Sequence, residues 1–300
     1  MQNNKARSRG LKQLVRMNVL AVLGMAIFGL AQIKPALAEF QIQEADIERG
    51  EIELEYRGAY HWGVPTATED NENANDLIQS HEFEFQMSVT DWWLLQLTGA
   101  LDQPLGEDFQ ASSVEIETEF ALLKRKGDGI AVSFQGGYEK PLNHSPDDSE
   151  PPALGFGPII ELAKGPLVLT LNPLFTRQLG SLADQEGLGF EYGWRAEYDV
   201  NKRWGLGVEM FGEIESLANA GPFNDQVHSI GPTLFLNFGG DDDAAKGGDD
   251  DEGKAKAGGD DDDKGAGAAD TEFSMNVGVQ FGLTDATSDA ALKFQGSLSF

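Results

Sequence analysis

Residues 291–300 read ALKFQGSLSF, and residues 272–283 before them read EFSMNVGVQFGL. In both stretches apolar and polar residues alternate almost one by one. Successive side chains of a β-strand point to opposite faces, so a period of two predicts strands with one apolar and one polar face. Strands of this kind build soluble β-sandwiches and membrane β-barrels alike, and the rest of the chain has to distinguish between the two.

The chain ends with an aromatic residue on the apolar face of its final strand. That face consists of Leu292, Phe294, Leu298 and Phe300. This ending resembles the last strand of Gram-negative outer-membrane β-barrels, in which the barrel-assembly machinery recognises an alternating strand closed by a C-terminal Phe. The resemblance implies a barrel that is surrounded by outer-membrane lipid and is assembled through these four residues. The overall layout of the chain also resembles that of uncharacterised barrels grouped with transporters of the phenol-degradation type. This likeness implies no binding residue.

The first 38 residues have the composition of a secretory leader. Basic residues come first, an apolar run from Met17 to Leu30 follows, and Ala36-Leu37-Ala38 forms a small-x-small cleavage signal before Glu39. The alternative is an uncleaved membrane anchor, although the apolar run is shorter than the ~18 residues that a spanning helix needs. We therefore predict a signal peptide at 1–38 and a mature barrel at 39–300.

The composition excludes several classes of protein. The formal charge is −28, and removal of the leader takes away basic residues and no acidic ones. Nucleic acid is excluded as a partner because phosphate binding needs clusters of Lys and Arg. The chain has no cysteine, so an exported form is not stabilised by disulfides. No apolar run in the mature region is as long as a transmembrane helix, whereas a membrane barrel hides its lipid face by alternation.

Twelve alternating segments of about ten residues can be counted between Glu51 and Phe300. The connections after the second, fourth, sixth and eighth segments are short, and those after odd segments are mostly longer, as expected for short periplasmic turns and longer outer loops. The long connection after the tenth segment does not fit this pattern. The predicted fold is thus an all-β, closed antiparallel transmembrane barrel of about twelve strands. Three prolines fall inside proposed strands, where we expect bulges or strand ends: Pro158, Pro173 and Pro232.

Carboxylates occupy the face opposite the apolar one and predict a wet, acidic lumen. Because rings of Asp and Glu select cations, the charged residues of this face are candidates for setting selectivity. The candidates are Glu53, Glu55, Arg57, Glu82, Glu84, Glu115, Glu117, Glu119, Glu191, Arg195, Glu197, Glu209 and Lys293. The alternative interpretation is a cross-braced wall around a blocked lumen.

The histidines do not predict a catalytic or metal site. His61 falls on the lumen face, His81 and His228 fall on the lipid face, and His144 falls in a loop. No Gly-x-Ser-x-Gly nucleophile motif occurs. We therefore predict neither an enzyme nor a cofactor.

Residues 239–270 form an insertion rich in Asp, Gly, Ala and Lys. A segment with so little to bury is expected to be disordered, and strand parity places it in the periplasm. Its acidic blocks, which include Asp241, Asp249 and Asp260, could bind Ca²⁺ or Mg²⁺ weakly, because hard cations prefer carboxylate oxygens. They lack the ordered spacing of a dedicated metal site. The other interpretations are a tolerated low-complexity insertion without a specific role and an electrostatic contact with a basic periplasmic partner.

These observations together predict a passive outer-membrane channel for small solutes or cations. The competing prediction is a structural or surface-interaction barrel whose lumen is blocked. The sequence leaves the substrate and the oligomeric state open.

Overall fold

The computed structural model of the protein is a closed barrel of twelve antiparallel strands. It describes residues 39–66, 76–142, 151–180, 187–238 and 271–300. Each strand pairs with its neighbours in sequence, and the first pairs with the last. The strands are β1 Ile52–Trp62, β2 Leu77–Thr90, β3 Trp93–Pro104, β4 Gln110–Leu123, β5 Gly129–Pro141, β6 Ala153–Lys164, β7 Leu167–Gln178, β8 Gly189–Asn201, β9 Trp204–Ile214, β10 Val227–Phe238, β11 Glu272–Gly282 and β12 Ala290–Ser299.

Pairing between β1 and β12 closes the barrel. The register runs from Glu53 opposite Ser299 to Trp62 opposite Ala290. Beyond it, the backbone N–H groups of Ile52 and Phe300 each donate to the other residue's carbonyl at 3.0 Å. Closure leaves no unpaired strand edge, which a sheet in hydrocarbon could not tolerate. The all-β, twelve-stranded closed barrel predicted from the alternation is confirmed.

The two faces of the barrel wall are inverted relative to a soluble protein. Large apolar side chains of the strands are exposed on the outside, such as Phe83 at 55% and Ile116 at 48%. Charged side chains between them are buried inside, such as Glu82 at 3% and Arg57 at 3%. An apolar outer surface and a polar interior are the arrangement that a lipid environment requires. No helix in the described ranges is long and apolar enough to cross a membrane.

The prolines do not lie at bulges or strand ends, so that prediction was wrong. Pairing of β6 with β7 stops after Phe156 and resumes at Ile160 in an unchanged register, and Pro158 lies in this gap. The pairing of β10 with β11 is interrupted in the same way around Pro232. A glycine precedes each of these two prolines, and a Cβ on Gly157 would lie 2.0 Å from the carbonyl oxygen of Pro173. The sheet therefore omits a few ladder bonds locally while the other side of each proline stays paired.

The two rims of the barrel carry connections of different lengths. The turns after β2, β6 and β8 contain two residues each, and that after β4, residues 124–128, contains five. The rim that carries these turns is called the short-turn end here, and the opposite rim the long-loop end. The β3–β4 connection at the long-loop end, residues 105–109, is no longer than the β4–β5 turn. The leader and the acidic insertion lie outside the described residues.

The described chain begins inside the barrel. Residues 39–50, called the lumen segment here, precede β1 and run lengthwise through the interior. Ala45 packs against Ala131 and Ile159 of the wall, and the three form the buried apolar cluster of the lumen. Nothing in the alternation of the strands indicated where this segment lies.

Candidate functional site: the barrel lumen

All thirteen lumen candidates occupy the inward register of their strands. The β1–β2 pairing sets Glu55 opposite Glu84 and Arg57 opposite Glu82, and the β8–β9 pairing sets Arg195 opposite Glu209. Most of these side chains are buried, and Glu53, Glu191 and Glu197 are half-buried. Their part in ion selectivity remains a prediction.

One guanidinium organises the wall formed by β1 and β2. Arg57 donates to Glu82 Oε2 at 2.6 Å from Nη2 and 3.0 Å from Nε. Its Nη1 donates to Glu84 at 3.0 Å and also to Glu55. Since three carboxylates surround a single arginine, this group of side chains, called the Arg57 cluster here, carries an excess of negative charge. Amides provide further donors, as Gln295 does to Glu55 at 2.7 Å.

Two smaller ion pairs involve β8, β9 and β12. Lys293 on β12 donates to Glu209 on β9, and Thr233 on β10 donates to the same carboxylate at 2.6 Å. Arg195 on β8 pairs with Glu44 of the lumen segment, and its Nε lies 3.4 Å from Glu197. On the inward face of the described strands, the Lys and Arg residues are therefore these two and Arg57, and each is paired with carboxylates.

Other carboxylates on the wall have no basic partner. Glu115, Glu117 and Glu119 alternate along β4, and within the described residues no ion pair joins any of them to a basic side chain. The β8–β9 register also sets Glu191 directly opposite Glu213. Carboxylates that face one another across strands repel when both are ionised. This part of the lumen thus carries negative charge that only protons or mobile cations can neutralise.

At the long-loop end, Glu39 begins the lumen segment among buried polar groups. Its backbone nitrogen donates to Glu82 Oε1 at 3.0 Å. Its carboxylate lies 2.9 Å from His61 Nε2 and accepts a hydrogen bond from Ser80. The next residue, Phe40, packs on His61 and edge-on against Phe211 at a centroid distance of 5.2 Å. Its φ of 59°, rare for an aromatic residue, directs the ring into this gap.

Midway along the lumen, Gln43 joins two separate parts of the wall, β3 and β7. Its backbone N–H donates to the side chain of Asn172 on β7, whose amide returns a bond to Gln43 carbonyl oxygen at 3.0 Å. Its side-chain oxygen accepts from Gln96 on β3 at 3.2 Å. A Cβ on Gly193 of β8 would lie 3.1 Å from the carbonyl oxygen of Gln41 and 3.2 Å from Ile42. The absence of a side chain at Gly193 therefore leaves room for the segment.

The lumen segment ends at the short-turn end. Lys124, in the β4–β5 turn, donates to the Ile47 carbonyl oxygen at 2.6 Å. Gly50 N–H donates to Ser88 carbonyl oxygen near the end of β2, at 3.3 Å. With Glu39 near the long-loop end and Gly50 near the short-turn end, the segment passes along most of the lumen.

Glu44 fastens the middle of the segment electrostatically. The Arg195 guanidinium, with a smaller contribution from Arg125, lowers the pKa of the Glu44 carboxyl below its ordinary value. The carboxylate therefore stays ionised and paired across the neutral pH range.

Sequence reasoning missed the lumen segment and its partners Asn172 and Gly193. Weak signals were present in the chain. Phe40 to Gln43 alternates between apolar and polar residues. The inward register also contains small residues such as Ala131 and Gly193, which leave space in the lumen that larger side chains would fill. Neither signal says which segment occupies the space, because that depends on where the chain enters the barrel.

The histidines lie on the faces predicted for them. His61 is inside, and His81 and His228 are on the outer face, where Tyr56 and Tyr192 bond to their Nδ1 atoms at 2.7 and 3.0 Å. In the described part of the chain, no group of His, Asp and Glu side chains is suited to hold a metal ion. Asp241, Asp249, Asp260 and His144 lie outside the described residues.

Comparisons with known proteins yield similar folds and no family. No family model matches the chain, and no curated protein matches it. Among solved structures, the KdgM porin in complex with disordered oligogalacturonate is 8% identical at a TM-score of 0.43, over 83% of this chain and 98% of its own. The NanC porin is 11% identical at a TM-score of 0.44, over 82% and 98%. LpxR from Salmonella typhimurium is 9% identical at a TM-score of 0.40, over 83% and 99%.

Scores this low do not support an argument about activity, and the assignment depends on the barrel itself. Twelve strands close on one another, apolar side chains face outward, and carboxylates face the lumen. The chain is a closed β-barrel with the apolar outer surface of a membrane protein.

Proposed function

We propose that this protein is a passive channel for small solutes and cations in the bacterial outer membrane. The observation that carries the proposal is the row of carboxylates without basic partners on β4, Glu115, Glu117 and Glu119. Fixed negative charge on a pore wall attracts cations and repels anions. An exported, cleaved precursor and assembly through Leu292, Phe294, Leu298 and Phe300 are parts of the same proposal.

The ion pairs elsewhere in the lumen support this assignment by contrast. Arg57, Arg195 and Lys293 neutralise carboxylates of β1, β2, β8 and β9 and brace those parts of the wall. Among the residues that the structure describes, no such brace reaches the row on β4. A cation that moves along this row would exchange part of its hydration shell for carboxylate oxygens. It would also relieve the mutual repulsion of the carboxylates.

Planar-bilayer recording of the purified protein tests the proposal. The wild-type barrel should conduct with a preference for K⁺ over Cl⁻, and Glu115→Gln with Glu117→Gln and Glu119→Gln should reduce that preference. The matched control neutralises three carboxylates outside the lumen, Asp91→Asn, Glu107→Gln and Asp108→Asn, and should leave selectivity unchanged. A conducting triple variant with wild-type selectivity would refute the role of the β4 row.

The lumen segment favours a second function, a structural or surface-interaction barrel that does not conduct. Gln43 bonds to both β3 and β7, so the segment spans the lumen as well as following it. A chain that begins at Gly50 distinguishes the two functions. Conduction by this chain alone shows that the segment blocks a pore, whereas silence of both folded proteins supports the structural barrel and refutes the channel.

A further inference from the structure

The polar pocket around Glu39 contains a buried carboxylate, Glu82, that a neutral backbone amide satisfies poorly. The two oxygens of the Glu82 carboxylate have separate partners, Arg57 on Oε2 and the Glu39 nitrogen on Oε1. Glu82 is 3% exposed, so its second oxygen is shielded from bulk water. A buried carboxylate oxygen is best satisfied by a charged donor.

The Arg57 cluster lacks positive charge in the same place. Arg57 contacts three carboxylates, Glu55, Glu82 and Glu84, and one guanidinium neutralises only one of them. An amide N–H at Glu39 brings no charge into this cluster. This nitrogen lies 3.0 Å from Glu82 Oε1. As an ammonium group it would bring one positive charge and three N–H donors to the cluster.

The path of the segment leads to the same conclusion. Glu39 lies beside His61 and Ser80, near the long-loop end, while Gly50 lies at the short-turn end. Short turns face the periplasm in outer-membrane barrels. A leader still attached to Glu39 would have to be drawn through the lumen to the outer side, although leaders are held at the inner membrane during export. Leader removal therefore precedes the seating of this segment.

We propose that the pocket of His61, Ser80 and Glu82 is a binding site for a free α-ammonium group, and that its ligand is the amino terminus released at Glu39. Hydrolysis of the Ala38–Glu39 bond adds one water, leaves a carboxylate on Ala38 and frees an amine on Glu39 that takes up a proton. The same cut creates the charge that the Arg57 cluster lacks and releases the segment to enter the lumen. The ligand class is thus a primary ammonium at the end of an extended peptide.

Amine labelling of the folded protein tests this site without any measurement of conductance. The mature chain beginning at Glu39 is treated in detergent with an N-hydroxysuccinimide ester, then denatured and digested, and the N-terminal peptide is quantified by mass spectrometry. The α-amine should be labelled at least about tenfold more slowly in the folded than in the denatured protein. Lys126, exposed in the β4–β5 turn, serves as the internal reference for reagent activity.

Two altered chains separate the site from general shielding by the barrel. Glu82→Gln should remove the protection, and Glu161→Gln, which alters an inward carboxylate near the short-turn end of β6, should keep it. A mature chain that retains Ala38 leaves every wall residue intact, moves the amine out of the pocket and should be labelled at the denatured rate. Equal rates for the chains that begin at Ala38 and Glu39, or a folded mature chain labelled as fast as the denatured one, would overturn the proposal. A silent barrel with a protected amine would refute the channel and leave this site standing.

Discussion

Single charged residues determine how the lumen is braced. Arg57 and Arg195 have the same side chain but different partners. Arg57 bonds to carboxylates of β1 and β2, whereas Arg195 reaches Glu44 of the lumen segment. A buried charge is tolerated only when its partners are well placed, and removal of one partner exposes the cost of the other. Arg195 is buried whereas the Glu44 side chain is 59% exposed, so Glu44 can titrate and act on the segment through this pair.

Docking of the lumen segment should weaken at acid pH through Glu44. Arg195 lowers the pKa of Glu44 when the segment is docked, whereas the released carboxyl titrates near 4.5. The contribution is therefore complete above pH 4.5 and is lost as the pH falls through the lower, docked value. Hydrogen exchange of the amides of residues 40–47, followed by mass spectrometry, should show wild-type protection falling toward that of Glu44→Gln below this pH.

Comparison of the two proteins at each pH removes the intrinsic pH dependence of exchange. Above pH 4.5 the wild type should be better protected than Glu44→Gln by a constant factor. A difference that persists unchanged at pH 2 would show that the Arg195–Glu44 pair does not hold the segment.

At the scale of elements, the lumen segment packs against parts of the barrel wall whose inward residues are small. The inner side of β8 has a glycine where Ile42 passes, and the inner sides of β5 and β6 have Ala131 and Ile159 where Ala45 packs. Polar contacts then fix the segment along its length, from Glu82 to Lys124. The segment and the wall are therefore complementary in shape as well as in charge.

Gly193→Leu should dislodge the lumen segment without unfolding the barrel. Even the first added carbon lies 3.1 Å from Gln41 and 3.2 Å from Ile42, so the larger side chain overlaps the segment. Overpacking of this kind costs about 1–3 kcal/mol. Because the segment can move away, the cost should appear as lost exchange protection at residues 40–45, with the urea midpoint of the barrel nearly unchanged.

Gly99→Leu is the matched control, since a Cβ on Gly99 meets no atom within 4 Å. It should leave exchange in the segment at the wild-type level. Wild-type protection in Gly193→Leu would mean that the segment does not pass over this glycine.

The whole molecule is stable only in a solvent that accepts its outer surface. Exposed Leu, Ile, Phe and Trp side chains cover the strands, while carboxylates fill the interior. Strand closure satisfies the backbone, and lipid satisfies the apolar face. The barrel should therefore distinguish sharply between substitutions in the lipid belt and substitutions at the rims.

Ile116→Lys should destabilise the folded barrel in lipid by about 2–4 kcal/mol, because a lysine in the middle of β4 lies near the bilayer midplane. Ile116 is 48% exposed on the outer face, and Leu105, in the β3–β4 connection, is similarly exposed at 44%. Leu105→Lys is thus the matched control and should cost less than about 1 kcal/mol. Urea titration in liposomes measures both, and equal losses would argue against a lipid-facing Ile116.

Much of this molecule follows from local pattern. The alternation predicts the strands and their inner and outer faces, because a period of two fixes which side chains share a face. The inward register of Glu115 and of Arg57 follows from the same rule. The count of twelve such segments and the lengths of their connections then predict the antiparallel order and the closed barrel. The strand positions of Pro158 and Pro232 were equally readable, but their effect on pairing was not, since it depends on how closely a neighbouring strand's carbonyl approaches the preceding glycine.

The sequence by itself determined the barrel, its lipid face and its acidic interior. Only the tertiary structure decided which charges are paired, because a partner such as Glu44 for Arg195 lies on a distant part of the chain and no periodicity links the two. It also decided that residues 39–50 lie in the lumen, because so short a segment takes its position from the space that the closed barrel leaves.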